Sequence, residues 1–228
     1  MAIKTTEHGG PDRKTILIVD DHPMLRRGLA ALIESEPDLA VCGEAATCTD
    51  ALEAVRENQP DLVLVDLELD GCHGLDLVRD LKVQHAGIPA LVLSMHDESV
   101  YAERSLKAGA RGYVTKQELD TTVLVAIHRL LDGGWYMSDK LEEGFATKFV
   151  SGQTLGTESP LDVLSNRELQ VFRLIGQGRT TRQIAATLTL SIKTIESHLE
   201  HIKQKLLLKS AAELAQRATQ WVVSGRSG

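Results

Sequence analysis

Leu62-Val63-Leu64-Val65-Asp66, four unbroken aliphatic residues closed by a carboxylate, is the stretch on which the fold of this chain turns. A run so short, apolar at every position and bounded by Asp61 and Asp66, matches a strand buried on both faces of a parallel sheet. Three other runs have the same form. Ile16-Leu17-Ile18-Val19 leads into Asp20 and Asp21, Ala90-Leu91-Val92-Leu93 ends at Ser94, and Gly112-Tyr113-Val114-Thr115 ends at Lys116. Ligands of such sheets bind beyond the carboxyl ends of the strands. If the four runs are neighbours, three carboxylates, a hydroxyl and an ammonium converge on one pocket.

Working outward, strand-like and helix-like segments alternate from residue 15 to about residue 134. Residues 23–34 carry Leu25, Leu29, Leu32 and Ile33 at helical spacing, and residues 39–43 form a short strand candidate. The pattern predicts further helices over 50–57, 75–83, 99–108 and 120–131, the last stopped by Gly133-Gly134. Five such units with short connections imply a doubly wound parallel sheet with helices on both faces. Residues 135–160 differ: Gly144, Gly152, Gly156 and Pro160 stand among Ser and Thr, with a brief amphipathic patch near 141–149, which reads as a linker holding a helical turn or two. From residue 161 the pattern is all-helical.

Bulk composition sets bounds. The chain of 228 residues suits two small domains better than one large one. No apolar stretch approaches the length of a membrane span, and residues 1–14 read as a flexible polar segment rather than a signal peptide. The three cysteines, Cys42, Cys48 and Cys72, show no CxxC spacing and read as reduced thiols in a cytoplasmic protein. The net charge of −7 conceals a split, since residues 1–160 hold 15 basic against 27 acidic side chains and residues 161–228 hold 10 against 5. An acidic front domain is thus joined to a basic tail, a balance that suits nucleic acid.

The pocket chemistry follows from its residue types. Asp20, Asp21 and Asp66 repel one another in a shared crevice, and a hard divalent cation such as Mg²⁺, held by one or two carboxylates, a carbonyl and waters, relieves that repulsion. A carboxylate can also attack phosphorus to form an aspartyl-phosphate. Lys116 adds a positive charge for phosphoryl oxygens and Ser94 a hydroxyl donor. Glu68 sets a further carboxylate at the mouth, and Met95 is a bulky neighbour to Ser94. His22, His73 and His96 lie near this edge, but without helix-spaced or cysteine partners they read as ordinary loop histidines rather than zinc ligands.

In the tail, Ser165-Asn166-Arg167-Glu168 is a capping box opening a helix with Leu169, Phe172 and Ile175 on one face, stopped by Gly176 and Gly178. Residues 181–188 make a second helix. A tight Thr189-Leu190 connection follows, and Ser191 caps a third helix in which Ile195, Leu199, Ile202 and Leu206 form a core stripe. This is the pattern of a helix-turn-helix. With the stripe inward, Lys193, Glu196, Ser197, Glu200, His201 and Gln204 face outward. Lys193 suits a phosphate, while Ser197 and Gln204 suit base edges.

On "VDDHP", "LVLVDLELDGCHGLDL", "LVLSMHDE" and "GARGYVTK", residues 15–134 resemble a receiver domain. On "LSNRELQVFRLIGQGRTTRQIAATLTLSIKTIESHLEHIKQKL", residues 161–228 resemble a LuxR-type helix-turn-helix DNA-binding domain, with residues 211–223 as its fourth, dimer-forming helix. Nearly the whole chain is therefore similar to a two-component response regulator of the NarL/FixJ type. The resemblance implies a flavodoxin-like α/β sheet of order 2-1-3-4-5 followed by a small all-α four-helix domain. It implies phosphorylation of Asp66 by a sensor histidine kinase, and Mg²⁺ on Asp20, Asp21, Asp66 and the Glu68 backbone carbonyl. Ser94, Lys116 and Tyr113 become the groups that sense the phosphate. The chain would pair as a homodimer when phosphorylated, bind double-stranded promoter DNA, and need no membrane.

The DNA-contacting set becomes Lys193, Thr194, Glu196, Ser197, His198, Glu200, His201, Gln204 and Lys205, with Glu196 and Glu200 more acidic than the pattern common in that family. Two alternatives stand beside this reading. One is a DNA-binding regulator whose receiver only dimerises, without phosphate control. The other is an aspartate-dependent phosphatase, disfavoured by the paired Asp20-Asp21 and the basic helical tail.

Overall fold

The computed structural model describes residues 13–69, 72–95, 98–118, 121–150, 161 and 163–224. It falls into two compact units, residues 1–147 and 148–228. The first is an α/β unit with strands β1 (Lys14–Val19), β2 (Leu39–Ala45), β3 (Leu62–Asp66), β6 (Ala90–Ser94) and β7 (Gly112–Thr115) in one parallel sheet. Their order is β2-β1-β3-β6-β7. Counting these five alone, that is the doubly wound order 2-1-3-4-5.

Helices α1 (Pro23–Glu34), α2 (Cys48–Asn58), α3 (Gly74–Gln84), α4 (Glu98–Ala108) and α5 (Thr121–Leu131) alternate with the strands. Alternation along each strand decides which helix covers which face. Ile16, Ile18, Leu62, Leu64, Leu91, Leu93 and Val114 pack with Leu29 and Ile33 of α1 and Val123, Ala126, Ile127 and Leu130 of α5. Leu17, Val63, Val65 and Val92, the intervening residues, are equally buried, and α2, α3 and α4 form a second packed layer. Each such side chain, fully buried, stabilises the fold by about 1.5–3 kcal/mol.

Several expectations need correction. Residues 13 and 14 do not belong to a loose N-terminal segment: Lys14 opens β1, and Arg13 bonds Glu34 and the Leu39 carbonyl. Residues 1–12 lie outside the described residues. The stretch after Gly134 is not merely a linker. Tyr136 bridges to Gly112 along the edge of β7, and α6 (Asp139–Val150) is a full three-turn helix. The remainder of the expected linker, residues 151–160, is outside the described residues.

The cysteines are corrected too. Cys48 and Cys72 are joined by a disulfide, with Cα atoms 6.3 Å apart, while Cys42 is a free thiol. Their 24-residue separation hides the pairing, because the sheet order alone brings the segments after β2 and β3 together. A small antiparallel hairpin, β4 (Glu68–Leu69) with β5 (Cys72–His73), also escaped the periodicity, being too short to show any.

The second unit is all-helical among the described residues: α7 (Asn166–Gly176), α8 (Thr181–Thr187), α9 (Ile192–Lys205) and α10 (Ala211–Ser224). Leu169, Phe172, Ile184, Ile195, Ile202, Leu214 and Ala218 are buried, and Phe172 meets Trp221 with ring centroids 5.8 Å apart. At Gly176 a Cβ would strike the Ala218 carbonyl, so glycine there permits the close approach of α7 and α10.

Candidate functional site

The pocket is assembled by register. Val19 lies opposite Val65, Asp66 opposite Leu93, and Ser94 opposite Thr115. Each run therefore ends level with its neighbour, and the next residues, Asp20 and Lys116, land on the same edge. Gly74 closes the floor. Its amide donates to the Leu67 carbonyl at 2.9 Å, and a Cβ there would strike the Asp66 carbonyl oxygen, so only glycine lets the chain fold back this tightly.

Asp20, Asp66 and Ser94 are 1%, 3% and 1% exposed. Lys116 Nζ stands 2.6 Å from both Asp20 Oδ2 and Asp66 Oδ2. The Glu68 amide donates to Asp66 Oδ1 at 3.3 Å. Asp20 Oδ1 accepts from the His22 amide at 2.7 Å, and His22 Nδ1 sits 2.6 Å from Asp21 Oδ1. Burial pushes the Asp66 carboxyl up to about 6, against the pull of Lys116 and with Asp20 adding to the rise. Burial alone would lower Lys116, but Asp66 and Asp20 outweigh it and raise it.

One ammonium thus faces several carboxylates. Asp20, Asp21, His22 and Asp66 offer ligand atoms all within 4.8 Å of one another, a donor set rich in carboxylate oxygen that fits a hard divalent cation. His22 was not expected in this group. The signal for it was its place directly after the paired aspartates. Of the other loop histidines, His73 caps α3 by accepting from the Leu75 amide, and His96 lies outside the described residues. Tyr113 is buried at 1% exposure, whereas Glu68 and Met95 are exposed at the pocket rim.

In the helical unit, Ser165 and Glu168 form the expected capping box, and Thr180 with Gln183 forms a second. Thr189, at φ 52°, makes the left-handed step between α8 and α9, and Ser191 caps α9 by accepting from the Thr194 amide. Lys193, Glu196, Ser197, Glu200, His201 and Gln204 are exposed along α9, while Thr194 and His198 are half-buried. The Thr194 hydroxyl is bonded to that of Ser191, and Glu200 pairs with Lys203 at 2.7 Å.

Beside His201, whose Nδ1 lies 3.9 Å from Glu168 Oε1, Lys205 makes the closer contact. Its ammonium lies 2.7 Å from Glu168 Oε2, so it ties the end of α9 to the start of α7. Sequence patterning had no means of finding that tie, since it joins residues 37 positions apart.

With this geometry in hand, comparison with known proteins identifies the class. Residues 16–128 match the response regulator receiver domain, and residues 162–218 match the bacterial regulatory proteins of the luxR family. The oxygen regulatory protein NreC of Staphylococcus aureus is 35% identical over 207 residues, covering 89% of this chain and 95% of that protein. A LuxR-family two-component response regulator from Aurantimonas sp. SI85-9A1 is 36% identical, covering 61% of this chain and 99% of that one, with a TM-score of 0.57. RcsB from Salmonella enterica serovar Typhimurium, bound to the promoter rprA with a phosphomimetic, shares the fold at 23% identity and TM-score 0.59, covering 91% of this chain and 99% of that one.

The chain belongs to the two-component response regulators of the luxR family. It is a phosphorylation-controlled transcription regulator, a receiver followed by a helix-turn-helix domain.

Proposed function

We propose that Asp66 is the phosphoryl acceptor, that a sensor histidine kinase is the donor, and that the modified chain binds promoter DNA as a homodimer. The observation that carries this reading is the meeting of Asp20, Asp66 and Lys116 within 2.6 Å ion pairs at one sheet edge. Asp20, Asp21, Asp66 and the Glu68 carbonyl would hold Mg²⁺, which when bound offsets charge building on the phosphoryl oxygens. Asp66 attacks phosphorus through a carboxylate oxygen, and the donor's histidine nitrogen leaves as that bond forms. Lys116, released from Asp66, pairs with the phosphoryl oxygens. Ser94 donates its hydroxyl to them, and Tyr113 fills the space behind it.

Such a local charge event acts only by biasing an element with two arrangements. The element proposed here is α4 with β7. The receiver is assigned from residue 13, where Arg13 and Lys14 already join the fold, and the DNA-binding domain to residues 161–228, with a connecting stretch that includes α6, in a cytoplasmic protein. Among the described residues no helix is long and apolar enough to cross a membrane. DNA contacts are assigned to Lys193, Thr194, Glu196, Ser197, His198, Glu200, His201 and Gln204, with Lys205 at the far end holding α9 in place. Two paired recognition helices would meet half-sites about one helical turn, or a multiple of one, apart.

The test is selection of bound fragments from a genomic pool, with and without a beryllofluoride phosphate mimic. Recovery of enriched, paired half-sites only with the mimic supports the reading. Identical recovery in both arms leaves a regulator whose receiver acts without phosphate.

A further inference from the structure

We propose that Cys48 and Cys72 form a reversible thiol–disulfide pair that sets how tightly the acidic pocket holds its divalent cation, and so couples the receiver to the thiol redox state. The proposal rests on the cytoplasmic phosphoacceptor reading above. Cys48 is the first residue of α2, and Cys72 lies in β5, just before α3. Strands β2 and β3 flank β1 in the sheet, so a bond between the segments that follow them spans the carboxyl end of β1, where Asp20 and Asp21 sit.

Cys72 is also built into the pocket wall. It pairs with Leu69 across the hairpin, next to the Glu68–His73 pair, and the Glu68 amide is bonded to Asp66 Oδ1. The segment that presents the Glu68 carbonyl leaves β3 at Asp66, and on its far side it is held by the sulfur bridge from Cys72 to α2 and, two residues on, by Gly74 folding onto Asp66. Opening the bridge frees one of these two anchors without touching a pocket side chain.

Three features make the pair a switch rather than a staple. A receiver with this buried two-layer core does not need a cross-link to fold. In a reducing compartment, the disulfides that occur are mostly transient or redox-sensing. Both cysteines are half-buried, within reach of a small thiol, whereas burial pushes the thiol of Cys42 upward and leaves it a poor competitor.

The exchange balances with glutathione. Oxidation converts two cysteine thiols and one glutathione disulfide into the Cys48–Cys72 bond and two glutathione thiols. In reduction a glutathione thiolate attacks Cys72 Sγ and Cys48 leaves as a thiolate; a second glutathione thiolate then attacks the glutathione sulfur of the mixed disulfide, giving glutathione disulfide and releasing Cys72 as a thiolate, and both cysteine thiolates take up protons from solvent.

The full chain is equilibrated in glutathione buffers of graded redox ratio, alkylated and peptide-mapped, and each form is titrated with Mg²⁺ by calorimetry. The expected results are a Cys48–Cys72 peptide that appears and disappears reversibly, and Mg²⁺ affinity about tenfold weaker in the reduced form. Amide exchange over residues 67–74 should be faster in that form, and labelling by a small phosphodonor at low Mg²⁺ slower. The C48S/C72S double variant should match the reduced form in every buffer, and C42S should respond as the wild type does. Failure to form the cross-linked peptide, or equal Mg²⁺ affinity and loop exchange in the two forms, overturns the proposal. Absence of phosphoryl label from both forms instead defeats the phosphoacceptor reading, and the affinity and exchange measurements still decide the redox claim.

Discussion

Each domain sets a buried carboxylate against a lysine from a distant element, and the two pairs differ in their charge balance. In the receiver, Lys116 stands 2.6 Å from both Asp20 and Asp66, and one ammonium answers more than one carboxylate. In the helical domain, Glu168 is 4% exposed and accepts from Lys205 at 2.7 Å and from the Ser165 amide at 2.7 Å. That second site is balanced, so it holds α7 to α9 and calls for no ligand. The first is left negative, which suits a hard divalent cation. Excess charge, not burial, is what separates the two pairs.

Breaking the two pairs should expose this difference. K116M strands Asp20 and Asp66 together, and in magnesium-free buffer urea unfolding should show a loss of about 3 kcal/mol. Added Mg²⁺ should recover more stability in K116M than in wild type, because the cation then replaces the missing charge; equal recovery would place the cation elsewhere.

The balanced pair should respond to truncation but not to magnesium. E168A removes both the capping bond and the partner of Lys205, and should cost about 2 kcal/mol in the helical domain, read by the same unfolding curves. E168Q keeps a side-chain acceptor for the Ser165 amide and should lose roughly half as much. The pH dependence has a definite sign. Burial would raise the Glu168 carboxyl, but Lys205 and Ser165 outweigh it and hold it below its ordinary 4.5. Its contribution is therefore present above pH 4.5 and lost as pH falls through the lower folded value. A pH–stability profile of E168Q that keeps the wild-type acid slope would contradict this.

A smaller effect sharpens the same contrast at the surface. His128 Nε2 lies 3.0 Å from Asp38 Oδ2, and its Nδ1 donates to the Leu124 carbonyl at 2.8 Å. Burial would lower its pKa, but these partners raise it above 6.5. Its stabilisation is complete below pH 6.5 and fades as pH rises through the folded value. Being exposed, it should contribute only about 0.5 kcal/mol, seen as a slope that H128Q removes.

The receiver pocket was legible because strands announce their own ends. Ile16–Val19, Leu62–Val65 and Ala90–Leu93 are continuous apolar runs, and parallel register carries the residue after each run to one edge. The recognition helix was legible for a related reason, since Ile195 and Ile202 fix which side faces inward. What the sequence hid were contacts that depend on tertiary proximity alone. Cys48 and Cys72 meet only because β2 and β3 flank β1, and Lys205 meets Glu168 only because α9 ends beside the start of α7. The β4–β5 hairpin is two residues a side, shorter than any pattern can declare. Helix α6 was under-read because Gly144 and the flanking Ser and Thr residues mark it as linker, while Leu141 and its neighbours suffice for three turns.

Whether the carboxyl group of Asp66 is the reacting atom is decided most directly by mapping the acyl-phosphate. The full chain is incubated with a small phosphodonor and Mg²⁺, reduced with borohydride to convert any aspartyl-phosphate to homoserine, and sequenced by mass spectrometry. Homoserine at residue 66, and none anywhere in D66N, is the expected result; modification at another aspartate, or unchanged labelling of D66N, would contradict it.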